Sequence, residues 1–180
     1  DVTDVATSRL ELESMNGQLR QLSKTDFLTE LNNRGTWEGA LQNEFKRLKR
    51  SGHQGTLLMC DIDHFKRIND NYGHAAGDVV IRQVAQAVKK NLRETDVAGR
   101  YGGEEFAVLL VDTSADQALY FAERLRKTVE ALSMEFNQQL LKATVSVGIA
   151  EYNPQMLEHR QWIEAADKAL YTSKAEGRNR

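Results

Sequence analysis

Thr56-Leu57-Leu58-Met59-Cys60-Asp61 decides how the rest of the chain is read. The run is short, apolar and unbroken up to a carboxylate, as expected of a strand buried on both faces. Ile62 and Asp63 follow directly. A carboxylate at the carboxyl end of such a strand projects into the crevice where layered α/β proteins bind ligands. Hard oxygen donors suit Mg²⁺, which keeps water and phosphate oxygens in its shell. An aspartate capping the next helical turn is the plainer reading, and the Asp-x-Asp alone favours it.

Working outward, residues 62–72 read as a turn or short helix. Residues 74–92 form a helix with Val80, Ile81, Val84, Ala87 and Val88 inward. Residues 97–101 and 105–111 are two short strands around Gly102-Gly103, a hairpin. Residues 114–132 form a long helix with Ser114 as N-cap. Residues 143–150 alternate Val145, Val147 and Ile149 as a strand, and residues 161–175 close the chain as a helix. Upstream, residues 34–50 place Trp37, Leu41, Phe45 and Leu48 on one helix face, and 51–55 end it at glycine. This order predicts a layered α/β domain, an α+β sandwich with helices around a mixed central sheet.

Residues 1–24 predict one further helix, set apart from a domain spanning 25–180. Val5, Leu12 and Leu19 are spaced by heptads, and so are Ser8, Met15 and Leu22, giving an a/d seam. The seam fits the end of a dimeric signalling helix. A single amphipathic helix packed on its own domain fits the same letters.

Net charge is −2, which argues against a nucleic-acid polymer or an anionic membrane as the partner. An anionic ligand must then be held by local groups and metal. The single cysteine, Cys60, lies in the apolar run and reads as a buried thiol in a reducing, cytoplasmic setting. No apolar stretch approaches the ~20 residues of a membrane span. No signal peptide is visible. The chain begins at Asp1 rather than Met, which leaves room for an upstream sensor or membrane segment.

Arg100-Tyr101-Gly102-Gly103-Glu104-Glu105-Phe106 is the second chemical stretch. Glycines at a hairpin tip permit positive φ and let a ligand approach the backbone. Adjacent strand residues face opposite sides, so both glutamates reach one centre only if the first still sits in the turn. Neighbouring carboxylates repel unless a cation stabilises them. An ordinary hairpin with a solvated acidic flank is the alternative.

Gly102-Gly103-Glu104-Glu105-Phe106 resembles the signature loop of the GGDEF family of diguanylate cyclases, in its Glu-for-Asp variant. Asp26-Phe27-Leu28-Thr29-Glu30-Leu31-Asn32-Asn33-Arg34 is similar to that family's opening D-x-L-T-G-L-x-N-R. Residues 60–70 resemble F-D-I-D-x-F-K-x-I-N-D. Tyr72-Gly73-His74 with Gly77-Asp78 resembles G-H-x-x-G-D, and residues 171–180 resemble the closing Y-x-A-K-x-x-G-R-N. The blocks stand in the family's order over 26–180. Glu30 replaces a usual Gly and Cys60 a common Phe.

The resemblance implies a nucleotidyl-cyclase, palm-like fold and the condensation of two GTP into cyclic di-GMP and pyrophosphate, with Mg²⁺ or Mn²⁺. A non-catalytic GTP or cyclic di-GMP receptor is the alternative. Asp61, Glu104 and the Ile62 carbonyl would hold metal. Glu105 would help bind a second ion or deprotonate the attacking hydroxyl. Asn69 and Asp78 would read the guanine edge, and His74 would lie along ribose or base. Lys66 would sit near the phosphates. Lys174 and Arg178, four apart, would share a helix face and hold the terminal phosphates; a solvated helix end is the alternative. Since each domain would bind one GTP, catalysis would need a two-fold homodimer. Arg93 and Asp96 match an R-x-x-D product-inhibition site at the family's offset from the loop, with Arg124 as a second arm. A cationic helix end is the alternative there.

Overall fold

The computed structural model describes residues 1–180, apart from the side chains of residues 20–22. The elements are α1 (Val2–Leu22), α2 (Arg34–Ser51), β1 (Gly55–Ile62), α3 (Phe65–Tyr72), α4 (His74–Asn91), β2 (Val97–Arg100), β3 (Glu105–Val111), α5 (Ala115–Glu130), β4 (Met134–Phe136), β5 (Gln139–Leu141), β6 (Val145–Glu151) and α6 (His159–Ala175). The main sheet runs β2-β3-β1-β6. All its strand pairs are antiparallel. The parallel component is an isolated bridge, Asn32 to Gly99. The α+β expectation is met, with an antiparallel rather than truly mixed sheet, because both neighbours of β1 run against it. The small β4–β5 hairpin was not foreseen; three-residue strands carry too short a pattern to read.

Two-residue alternation sorts the sheet into two cores. Leu58, Cys60, Ile62, Phe106, Val108 and Leu110 pack with α4 and α5. Leu57, Met59, Ala107 and Leu109 pack with Trp37 and Leu41 of α2 and Trp162 and Ala166 of α6. Each such large side chain gains roughly 1.5–3 kcal/mol on full burial. That gain holds β1 firmly enough to carry a carboxylate at its end. Asp61 shares the parity of Leu57 and Met59, so it lies on the α6 side.

Caps set the helix starts. Asn33 accepts from Thr36 N–H at 2.9 Å, and Ser114 and Gln117 form a reciprocal capping box. Gly148 brings α6 onto β6: a Cβ there would lie 2.2 Å from Leu170 N and 2.3 Å from Ala166 O. Glu30 adopts φ 60, a left-handed conformation that explains the family's usual glycine at this position.

In α1 the seam residues Val5, Ser8, Leu12, Met15 and Leu19 are all exposed, while Leu22 lies outside the described side chains. No described side chain of α1 is buried, so the alternative of packing on its own domain is not what this structure shows. Among the described residues no helix is long and apolar enough to cross a membrane.

Candidate active site

β1 ends at Ile62 just where β3 begins at Glu105, and Asp61 and Glu105 are direct cross-strand partners. Glu104 precedes the strand, in the turn, and its carbonyl accepts from Ile62 N–H at 3.2 Å. Asp61, Ile62, Glu104 and Glu105 therefore gather at one sheet edge, with the first glutamate in the turn as the carboxylate argument requires.

Asp61 is 4% exposed, and its Oδ1 has no hydrogen-bond partner. Its Oδ2 accepts from Lys174 Nζ at the end of α6. Burial pushes the Asp61 carboxyl above the usual range, Lys174 opposes this, and Asp63 adds to it. Glu104 is raised by burial and by Asp61. Glu105 is raised by burial, Asp61 and Asp167. These carboxylates repel each other at close range, with one lysine as partial counter-ion. Among the described residues, no group of three or more His, Cys, Asp and Glu side chains encloses a metal position. The donor set is open: Asp61, Glu104 and the Ile62 carbonyl. Such a set fits a hard divalent cation that completes its shell with water and phosphate oxygens.

The glycine turn differs from expectation in one respect. Neither Gly102 nor Gly103 has positive φ. The chain here does not need glycine for its backbone angles; a Cβ at Gly103 would meet nothing within 4 Å. Without a side chain, the backbone at Gly103 borders open space. Arg100 fixes the turn, donating to the Gly103 carbonyl at 2.9 Å and to Asp26 at 3.2 Å. Burial would raise Asp26, but hydrogen bonds from Thr29 and the charge of Arg100 hold its carboxyl below the usual carboxylate range.

Asn69 lies on α3, with Lys66 one turn before it; Lys66, His74 and Asp78 are exposed. Asn69 Oδ1 is buried without a partner. Gly77 makes room for it, since a Cβ would sit 2.0 Å from that oxygen. His74 and Asp78 occupy the first turns of α4 beside it.

Arg178 corrects the sequence reading. Helix α6 ends at Ala175, so Lys174 and Arg178 do not share a helix face. Gly177 at φ 124 and Arg178 at φ 64 turn the chain back over β6, where Val147 N–H reaches the Arg180 carbonyl at 2.7 Å. Arg178 still exerts its charge on Asp61.

The sequence reading gave no separate task to Asp63, which lies in the turn just past the end of β1. It accepts from Thr144 Oγ1 and Ser146 Oγ at 2.7 Å and from Asn179 N–H at 3.1 Å. The polar Thr144 and Ser146 at the start of an otherwise apolar strand were the available signal.

At the other end of β3 lies a separate cavity of about 260 Å³, lined by Arg93, Asp96, Asp112, Tyr120 and Arg124 among others. It brings the three predicted inhibitory-site residues together. Arg93 donates to both Asp96 oxygens, at 3.2 and 3.1 Å, and to Thr113 Oγ1 at 2.7 Å. The Asp96 side chain is 1% exposed, that of Arg93 57%. Arg124 donates to Asn91 Oδ1 at 2.8 Å.

Residues 23–180 match the family described as diguanylate cyclase, GGDEF domain. The chain is 44% identical over 168 residues to diguanylate cyclase A of Treponema denticola, covering 92% of this chain and 45% of that protein. It is 42% identical over 163 residues to the probable diguanylate cyclase DgcC of Escherichia coli, covering 91% and 44%. It therefore spans less than half the length of these relatives. The solved GGDEF domain of DgcB from Caulobacter crescentus, in complex with c-di-GMP, superposes with a TM-score of 0.85 at 37% identity, covering 88% of this chain and 94% of that one. Sequence blocks, antiparallel α+β architecture and the acidic strand edge agree, and the chain belongs to the diguanylate cyclase GGDEF-domain family.

Proposed function

We propose that this domain condenses two GTP molecules into cyclic di-GMP, releasing two pyrophosphates. The observation that carries this reading is the buried, unpartnered oxygen of Asp61 beside Glu104 and Glu105. So costly an arrangement is explained by a divalent cation between the carboxylates. Asp61, Glu104 and the Ile62 carbonyl would hold Mg²⁺ or Mn²⁺. The bound ion would neutralise phosphate charge and acidify the attacking hydroxyl. Glu105 would help hold a second ion or receive the proton of the ribose 3′-OH.

Asn69 and Asp78 read guanine. The unpartnered Asn69 Oδ1 needs a donor, and a guanine edge supplies N–H donors where adenine's pattern differs. His74 lies along the ribose or base. Lys66, Lys174 and Arg178 hold the triphosphate, and the α-phosphorus is then presented to the 3′-OH of the other nucleotide. Lys174, which bonds to Asp61, would also stand within the positive charge that holds the phosphates.

One domain holds one GTP, so two copies meet across a two-fold axis. The exposed heptads of α1 supply a dimer seam, raise the effective concentration of the second half-site and pass on the state of an upstream sensor. The cavity of Arg93, Asp96 and Arg124 binds cyclic di-GMP as an inhibitor. The domain works in the cytoplasm, where GTP is available. Incubation with labelled GTP and Mg²⁺, followed by product separation, tests the proposal. Cyclic di-GMP and pyrophosphate are expected; tight GTP binding without product would overturn the catalytic reading in favour of a receptor.

A further inference from the structure

Asp61 and Asp63 belong to one three-residue stretch and are each 4% exposed, yet their oxygens are used in opposite ways. Asp61 leaves one oxygen unpartnered. Asp63 is saturated: Oδ1 accepts from Ser146, and Oδ2 from Thr144 and from the backbone amide of Asn179. The Asn179 amide also reaches Ser146 Oγ at 3.2 Å. Asp63 has little capacity left for a metal ion or a nucleotide.

Its hydrogen bonds converge on the turn that carries Arg178. Arg178 and Asn179 both take left-handed angles, φ 64 and φ 50, which non-glycine residues keep only when their surroundings enforce them. The turn leaves α6 with Arg178 N–H on the Ser173 carbonyl at 3.0 Å. It is then gripped just after Arg178 by Asp63. Arg126 adds a bond to Asn179 Oδ1 at 3.1 Å. Arg178 itself is exposed, so its direction comes from this backbone and not from packing of its own side chain.

We infer that Asp63 is a positioning residue: it ties the C-terminal turn to β6 so that Arg178 faces the triphosphate beside Asp61. The inference rests on the assignment of Arg178 to the phosphates. It divides the labour of the Asp-x-Asp between one aspartate for the reacting centre and one for the arginine that grips the leaving group.

A double-mutant cycle on the full chain tests it, with GTP turnover measured while cyclic di-GMP is removed as it forms. Arg178→Ala should raise the KM for GTP roughly tenfold, the scale of one charged hydrogen bond. Asp63→Asn should raise KM by a similar factor, with kcat changed less and the Mg²⁺ dependence unmoved. In the Arg178→Ala background, Asp63→Asn should add almost nothing, because the residue acts through Arg178. Additive losses, or a shifted Mg²⁺ dependence in Asp63→Asn, would overturn the inference while leaving the phosphate role of Arg178 standing. An Arg178→Ala variant with unchanged KM would overturn both. If Asp63→Asn does not fold, Ser146→Ala serves in the same cycle, since it removes one donor to Asp63 and one acceptor of the Asn179 amide; additivity there is equally fatal.

Discussion

The two ends of β3 hold charge in opposite ways. At the Glu105 end, carboxylates crowd together, one buried oxygen lacks a partner, and burial raises Asp61, Glu104 and Glu105 together. At the Val111 end, roughly 20 Å away at ~3.3 Å per residue, Asp96 is buried but saturated by Arg93. The first end leaves negative charge and one buried oxygen without a partner. The second is finished before any ligand arrives, with the exposed part of Arg93 left over for one. Chemistry needs uncompensated groups that change partners; a regulatory grip needs a rigid, prepaired one.

The largest expected effect separates these ends. Glu104→Ala or Glu105→Ala should lower turnover by about 10³-fold or more while the domain stays folded. Cyclic di-GMP binding at the Arg93 cavity, followed by calorimetry, should be unchanged. Turnover surviving in both variants would break the assignment of the acidic end. Arg93→Ala should do the reverse: inhibition by added cyclic di-GMP should weaken by about 10–100-fold, as loss of a bidentate phosphate contact implies. Uninhibited turnover per folded molecule should persist. Melting temperature should fall, since Asp96 then keeps only the Arg93 backbone amide at 2.9 Å. Equal inhibition of variant and parent would remove the regulatory role of that end.

The smallest effect concerns the frame and not either site. Glu30 sits at φ 60 in the turn closed by its N–H on the Asp26 carbonyl at 2.9 Å. Glu30→Gly should raise stability by up to about 1 kcal/mol by relieving the left-handed strain. Turnover and inhibition should both stay at parental values in steady-state assays. A change in turnover would show that the Asp26 turn tunes the glycine loop through Arg100.

Much of this was legible in the letters. Val80, Val84 and Val88 announced the inward face of α4, and Leu57 to Cys60 announced a strand covered on both sides, because burial imposes a period on apolar residues. The grouping of Asp61 with Glu104 and Glu105 came from resemblance and from the placement of carboxylates at a strand end. Lys174 on Asp61 was not legible, since a contact over 113 positions has no local trace. The helix face assigned to Arg178 failed because α6 ends at Ala175, three residues before it, and Gly177 turns the chain, which a spacing of four cannot reveal.

By itself, the sequence determined the α+β layers, the Ser114 cap, the positions of the acidic residues and the family, because propensity, periodicity and motif spacing are local properties of the chain. Tertiary structure alone decided that Asp61 keeps a free oxygen while Asp63 keeps none, that Gly102 and Gly103 do without positive φ, and that Arg93 comes prepaired. Each of these depends on which distant groups close over a carboxylate or leave it bare, and such partnerships form only when β1, β3, β6 and the C-terminal turn come together.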